Sequence, residues 1–495
     1  MYYVSTRNKK LEFTPAQAIS QGLSREGGLF LPASLPRLPG HALENLKNMS
    51  YQQRAVYIMG LYLTHFTTSE LTAYTAKAYG PEKFDTRAVA PVHRVDDKTY
   101  CLELWHGPTC AFKDMALQML PYLLTASMRK NYDNRTVCVL VATSGDTGKA
   151  AMEGFRDVDQ TRILVFYPKD GVSEVQALQM KTQEGENVGV CSVVGNFDDV
   201  QTGVKQLFSD EELRAQLEKE GIFLSSANSI NWGRVLPQIV YYVSAYCDLL
   251  RDGAVAPGES INVCVPTGNF GNILAAYYAR EMGVPIARLI CASNSNNVLT
   301  DFLQTGTYDK NRTFFNTISP SMDILISSNL ERLLYSLSDG DDRRVAGYME
   351  QLNATGAYTV DEDIRKKLQS LFAAGYANEE ETKAAIGRLW QEQNYLIDTH
   401  TAVAFHVLER YRAESGDETT TVVASTASPF KFCDAVLEAI GVTDLAQGAA
   451  LLDQLSEVTG IAIPRPLAGL RDKPVRFEGW VQKEQMKSVV NGFLK

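Results

Sequence analysis

Short apolar runs recur through the middle of the chain, separated by stretches with helical spacing. TVCVLVA (136–142), RILVFYP (162–168), VGVCSVVG (188–195), IFLSSAN (222–228), SINVCVP (260–266), ARLICAS (287–293) and TTTVVAST (419–426) predict strands. Most are continuously apolar rather than alternating, as strands buried on both faces are. Their alternation with helical stretches predicts parallel sheets built from βαβ units. Helices are expected in GDTGKAAMEGF after the first strand and in DDVQTGVKQLF (198–208). Another opens at Ser173, with Gln176 three residues on in a capping-box pattern. A long helix follows IFLSSAN, with Pro237 in its first turn.

Outside this region the pattern changes. Residues 1 to about 95 mix short helical patterns with the Gly- and Pro-rich loop EGGLFLPASLPRLPG. Within 340–395, DEDIRKKLQSLF and NEEETKAAIGRLWQEQ read as charged amphipathic helices with solvated faces. Residues 478–494 read as a terminal helix, and no internal repeat or low-complexity tract is found.

The balance of 58 acidic to 48 basic residues, net −10, argues against nonspecific nucleic-acid binding but leaves room for a local anion pocket. Eight cysteines lie scattered with no CxxC pair, several inside strand-like runs, which predicts buried free thiols in a reducing compartment. The six histidines lack metal-ligand spacing, so no metal is expected. The start, MYYVSTRNKKLEF, has no apolar core of a signal peptide, and no run reaches membrane-spanning length. A cytoplasmic protein without a membrane partner is the expectation.

The segment HGPTCAFKDMALQML (106–120) carries a lysine, Lys113, at the head of residues apolar on nearly every helical face. Partial desolvation there would lower the amine's pKa and make it a nucleophile for carbonyls and a base. The plain alternative is a lysine whose amine reaches water from a helix end. Three loops follow strands where ligands bind in open α/β sheets. TSGDTGK (143–149) is not a P-loop, because Thr143 and Ala150 replace the required residues, yet it offers backbone N–H groups and hydroxyls at a helix start. PTGNFGN (266–272) lacks the dinucleotide fingerprint, but Gly268 and Gly271 allow close backbone approach to an anion. ASTASPF (424–430) is a hydroxyl cluster that also reads as a simple helix cap. Together, a buried lysine, two anion-ready glycine loops and a late hydroxyl cluster fit pyridoxal phosphate.

HGPTCAFKD, ATSGDTGKAA, NSINWGR, PTGNFGN and DTHTAVA resemble threonine synthase, a pyridoxal-phosphate family of fold type II. YVSTRN and EGGLFLP are similar to the N-terminal region of its longer-chain branch, and the likeness runs from about residue 2 to about 440. The resemblance implies an α/β fold: two parallel-sheet lobes with the cofactor in the cleft, plus an N-terminal domain. The implied division is residues 1–95 for that domain and 96–250 for the first part of the lobes. Residues 251–495 form the second part, with a helical insertion at about 300–395. Lys113 would attach the cofactor and shuttle protons, with Phe112 beside the ring. Gly268, Asn269, Phe270, Gly271 and Asn272 would cradle the cofactor phosphate, and Thr426 would meet the ring nitrogen. Ser144 and Thr147 would hold the substrate's amino-acid end, and Asn228, Ser229 and Arg234 its phosphate. The implied substrate is O-phosphohomoserine, the products threonine and phosphate, and the assembly a monomer or homodimer.

The sequence departs from the family at several points. TASPFKF replaces the usual TAHPAKF, so a role for that histidine does not carry over to Ser428. Asp146 stands where shorter-chain relatives carry Asn, and its role is open. Thr399 replaces a proline, and His400 beside it is expected to be structural. The rival readings are a phospho-lyase releasing 2-oxobutyrate from the same substrate, a hydroxyamino-acid dehydratase, and a noncatalytic binding protein on the same fold. Asn228, Ser229 and Arg234 argue against the dehydratase, whose substrate carries no phosphate.

Overall fold

A computed structural model describes residues 1–169 and 172–494. Two separate sheets form the body of the molecule. The smaller has five parallel strands in the spatial order Trp480–Val481, Val188–Val193, Thr161–Pro168, Thr136–Ala142 and Ile222–Ser225. The larger runs Phe372–Tyr376, Ile286–Ser293, Ile261–Pro266, Thr421–Ser425, Thr99–Glu103 and Val92–Arg94, with only the last strand antiparallel. All seven apolar runs read as strands lie in these sheets. The chain leaves the large sheet after Glu103, builds most of the small one, and returns at Ile261. Two parallel-sheet lobes are therefore present as expected.

The N-terminal region adds a three-stranded antiparallel sheet, Asn8–Phe13, Tyr3–Ser5 and Phe30–Pro32. The helices Tyr51–Tyr62 and Thr68–Ala78 follow, each opened by a capping box, Ser50 with Gln53 and Thr67 with Glu70. Arg54 docks the first of these on the long helix Trp232–Arg251, through Asp248 at 2.8 Å and Ser244 at 2.7 Å. That long helix is buried from Trp232 to Leu250, as a helix apolar on all faces must be.

Four local expectations need correction. The apolar segment after Lys113 is two helices, Asp114–Leu117 and Leu120–Lys130, because Pro121 begins a new first turn and cannot continue the old ladder. Pro237 lies in the second turn of its helix, which starts earlier because Asn231 caps it, its side chain accepting from Gly233 N–H at 2.8 Å. Within 300–395 helices dominate, but Phe372–Tyr376 pairs in parallel with Leu289–Ser293 at the edge of the large sheet. Its FAAGY is too short and too mixed to stand out beside the helix Glu362–Leu371. The terminal helix is confined to Met486–Leu494, because Trp480–Val481 is drawn into the edge of the small sheet. The capping box at Ser173 forms, with Ser173 Oγ accepting from Gln176 N–H at 3.2 Å. All eight cysteines are free and buried.

Candidate active site

Lys113 stands directly before Asp114–Leu117, in a loop built back onto the late hydroxyl cluster. Phe112 N–H donates to Thr426 O at 2.8 Å, Ser428 N–H to Cys110 O at 3.0 Å, and Ala111 bridges Ala427. Both segments leave adjacent parallel strands of the large sheet, so sheet register brings Lys113 and Thr426 together across 313 residues. Asp114 locks the loop from below by accepting from Thr109 N–H and Oγ1–H, both at 2.8 Å. A side chain at Gly107 would fall 2.7 Å from Asp114, so the loop needs glycine there.

The Lys113 amine is nearly enclosed and donates to Ser321 Oγ at 2.9 Å, with the Phe112 ring centroid 5.4 Å away. Burial brings its pKa down to about 8; Asp146, 4.0 Å away, opposes that, while Arg234 and Lys431 reinforce it. Asp146 is the first residue of the helix Asp146–Phe155. Burial alone would raise its pKa, but Lys431 and Lys113 together with hydrogen bonds hold it well below the usual carboxylate range. The Asp146 carboxylate accepts from Lys431 Nζ and Gln176 Nε2, each at 2.9 Å.

The 143–149 loop is pinned by buried Thr143, whose Oγ1 accepts from Gly145 and Gly148 N–H at 3.0 and 2.9 Å. Ser144 and Thr147 are half-buried on this loop, and their hydroxyls make no hydrogen bond among the described residues. The 266–272 loop ends the strand Ile261–Pro266 and opens the helix Gly271–Met282. Its first intrahelical bond runs from Leu274 N–H to Phe270 O, so the N–H groups of the preceding turn point outward. Phe270 takes a left-handed φ of 64°, a conformation uncommon for a bulky residue and concentrated at functional sites. The Phe270 ring packs toward Phe372 in the core, so this residue offers only its backbone. Asn272 Oδ1 accepts from Tyr241 and Tyr242, at 2.8 and 2.5 Å, while its buried Nδ2 has no partner.

Arg234 lies in the first turn of Trp232–Arg251. It is buried, donates from Nη1 to Ala227 O, and leaves Nε without a partner. No carboxylate pairs with it among the described residues, and burial brings its pKa down to about 10. Asn228 is exposed; Ser229 is half-buried, and its Cβ lies 3.8 Å from where a Gly271 Cβ would be. The loop carrying Arg234 and the glycine loop are therefore neighbours.

Sequence reasoning missed the stretch that joins these parts, residues 319–332. Ser321 contacts Lys113. Asn329 N–H and Nδ2 donate to Asn269 O at 3.0 and 3.1 Å, and Nδ2 also lies 3.2 Å from Ser229 O. Fully buried Arg332 ties Asn329 Oδ1, Ile230 O and Phe30 O together, at 2.5, 2.5 and 2.9 Å. SPSMDILISSNLER carries a dense polar run without helical or strand period, the one local signal available. Lys431, wholly buried in an otherwise apolar PFKF, was also missed. His400 sits between Asp398 at 2.8 Å and Ser321 N–H at 3.1 Å. No group of side chains suited to a metal ion is found among the described residues, and no described helix is long and apolar enough to cross a membrane.

Three family models match the chain. "Threonine synthase N terminus" covers residues 2–79, "Pyridoxal-phosphate dependent enzyme" 86–427, and "Threonine synthase, C-terminal" 401–490. Threonine synthase-like 1 of Macaca fascicularis is 40% identical over 441 residues, which is 87% of this chain; the chain spans 58% of that relative's own length. Threonine synthase of Pseudomonas aeruginosa is 36% identical over 92% of this chain and 93% of its own. The solved threonine synthase of Brucella melitensis, with PLP bound, superposes with a TM-score of 0.88 at 35% identity, covering 100% of this chain and 99% of that one.

Proposed function

The chain belongs to the threonine synthase family of pyridoxal-phosphate-dependent enzymes, and from that premise we propose that it converts O-phosphohomoserine and water to L-threonine and phosphate. The observation that carries this reading is Arg234. A buried guanidinium without a carboxylate, one loop away from an amine of lowered pKa, suits a substrate bearing both an amino group and a phosphate. An unphosphorylated amino acid would leave that charge unanswered.

The residues fit the cofactor. Lys113 offers an enclosed amine, the Gly268–Asn272 turn offers outward N–H groups and an unpartnered Asn272 Nδ2, and the hydroxyl of Thr426 makes no hydrogen bond among the described residues. Pyridoxal phosphate, when bound, supplies an aldehyde for Lys113 and an electron sink for charge left at the substrate's Cα. Gly268, Asn269, Phe270, Gly271 and Asn272 would hold its phosphate, Phe112 and Thr426 its ring.

Lys113, once free, takes the Cα proton; with a pKa brought down to about 8, its neutral form is accessible near neutral pH. Arg234, with Asn228 and Ser229, neutralises the substrate phosphate and the charge that grows on it as the C–O bond breaks. Ser144, Thr147 and the N-terminus of Asp146–Phe155 receive the substrate carboxylate. A second proton leaves Cβ before the phosphate departs from Cγ; water then adds its oxygen at Cβ, Cγ gains a proton, and Lys113 returns one to Cα. We assign the chain to the cytosol, as a monomer or homodimer without nucleic-acid or membrane partners.

Incubating the purified chain and pyridoxal phosphate with O-phosphohomoserine, and assaying phosphate, threonine and 2-oxobutyrate together, tests this. Threonine equal to phosphate is expected. Phosphate with 2-oxobutyrate in place of threonine replaces the synthase by a phospho-lyase, and no phosphate at all overturns the grip assigned to Arg234.

A further inference from the structure

We propose that Ser321 is a second catalytic residue of the Lys113 site, its hydroxyl fixing the orientation of the free lysine amine, with His400 and Asp398 as the positioning residues that hold it. The inference rests on the reading of Lys113 as the cofactor lysine. Lys113 Nζ donates to Ser321 Oγ at 2.9 Å, so the hydroxyl touches the reacting atom itself. A neutral amine on a flexible stem has one lone pair and two N–H bonds. Committing one N–H to a fixed acceptor stops rotation about the last C–N bond and gives the lone pair one direction. Orientation of this kind separates a competent base from a nearby amine.

The acceptor is held with unusual care for a loop serine. Ser321 lies in the single turn Pro320–Met322. Its backbone N–H donates to His400 Nε2 at 3.1 Å. An amide N–H can only donate, so Nε2 is the acceptor and Nδ1 carries the hydrogen, which it gives to Asp398 Oδ2 at 2.8 Å. Asp398 is wholly buried and itself fixed as the cap of the helix Thr399–Ser415, accepting from the N–H groups of His400 and Thr401 at 2.9 and 3.2 Å. On the far side, Ser321 O lies 2.5 Å from where a Cβ on Gly268 would be, so the turn is pressed against the glycine loop. Buried Asn294 holds the preceding Ser319 through Oγ at 3.0 Å. A hydroxyl needed only to fill space requires neither a buried imidazole nor a buried carboxylate behind its backbone.

The test uses the full chain loaded with pyridoxal phosphate and a probe amino acid that carries no phosphate, L-2-aminobutyrate. Exchange of its Cα hydrogen in D2O, followed by NMR, reads the base directly and is blind to elimination and hydration. Ser321→Ala is expected to bind the cofactor and the probe within about threefold of the parent, and to slow exchange by about 10- to 100-fold, within the range general-base geometry commands. His400→Ala is expected to slow exchange in the same direction, and His400→Gln, whose side-chain oxygen can again accept from Ser321 N–H, to recover part of it. A purely structural role would instead weaken probe binding and lower the melting temperature with exchange per bound complex unchanged. Parental exchange rates in Ser321→Ala overturn the proposal while leaving Lys113 in place. A parent protein that binds no cofactor overturns both.

Discussion

Lys431 Nζ lies 2.9 Å from Asp146 Oδ1, and neither side chain reaches solvent. Lys431 belongs to the turn Pro429–Lys431 that follows a strand of the large sheet, and Asp146 opens a helix of the small one, so the pair ties the two lobes at the cleft. Lys431 is also satisfied by Thr109 O at 3.1 Å and Gln179 Oε1 at 2.7 Å. With Lys113 and Arg234 it gives the site three basic side chains beside the buried carboxylates of Asp146 and Asp114. Lys431→Met leaves Asp146 buried without its closest counter-charge, and a loss of ~3–5 kcal/mol of stability is expected. Adding Asp146→Asn should return much of it. Denaturant melts of the two single variants and the double one measure the coupling; simple additivity would mean that the pair does not act as a unit.

Removing the amine itself has a sharper consequence. Lys113→Ala is expected to abolish both turnover and the absorption band of covalently bound cofactor while the fold persists, because the Lys113 amine makes only one hydrogen bond among the described residues, to Ser321 Oγ. Spectra and phosphate release taken together check this, and residual turnover without the band would assign the base to another residue.

Arg234→Gln keeps a donor that can reach Ala227 O but removes the buried charge. A rise in KM for the phosphorylated substrate of about 10²-fold, from ~3 kcal/mol of lost charge-assisted hydrogen bonding, is the expected effect. The variant should bind unphosphorylated amino acids as the parent does. Steady-state kinetics alongside titration with L-2-aminobutyrate separates the two.

Gly268 is an example of a residue chosen for what is next to it. A Cβ there would meet the backbone of Ser321 at 2.5 Å, and backbone cannot rotate away. Gly268→Ala is therefore expected to push the Pro320–Met322 turn off Lys113, at a cost of ~1–3 kcal/mol for overpacking. Cofactor affinity and exchange activity should fall together, which equilibrium dialysis and the NMR assay would read.

His106 sits between Asp85, at 2.6 Å, and Glu103, at 2.8 Å, and stacks on Trp105. Burial alone would lower its pKa, but the two carboxylates overcome that and push it up to about 9. The folded value lies above the unfolded one of about 6.5, so the stabilisation is complete below that pH and is lost as pH rises through about 9. Thermal melts should show the parent losing stability between pH 6.5 and 9, with His106→Gln less stable at low pH and flatter across that window. Parallel curves for the two proteins would remove His106 as the cause.

Much of the architecture could be read from local pattern. Thr136–Ala142 and most of its six companion runs are continuously apolar, and that alone calls for strands buried on both faces. Glycine and hydroxyl loops after those strands mark the carboxyl ends where ligands gather, and the similarity of HGPTCAFKD and PTGNFGN to a known family gave the chemistry a name. These features depend on neighbours a few residues apart, so a linear reading reaches them. Boundaries were less secure where two local preferences met, as at Pro121 and at FAAGY, which the sheet edge claims through Leu289–Ser293.

The sequence by itself determined the strands, the anion-ready turns and the lysine. Only the tertiary structure decided which groups surround that lysine. Ser321 is 208 residues from Lys113 along the chain, and Lys431 is 285 residues from Asp146. A serine in a polar run and a lysine in an apolar one carry no mark of their partners. The partners are set by the register of Thr421–Ser425 on Thr99–Glu103 and by the packing of one lobe on the other. Periodicity encodes which face of an element is buried; it does not encode which distant element buries it, and the charge balance around Lys113 is settled by that second choice.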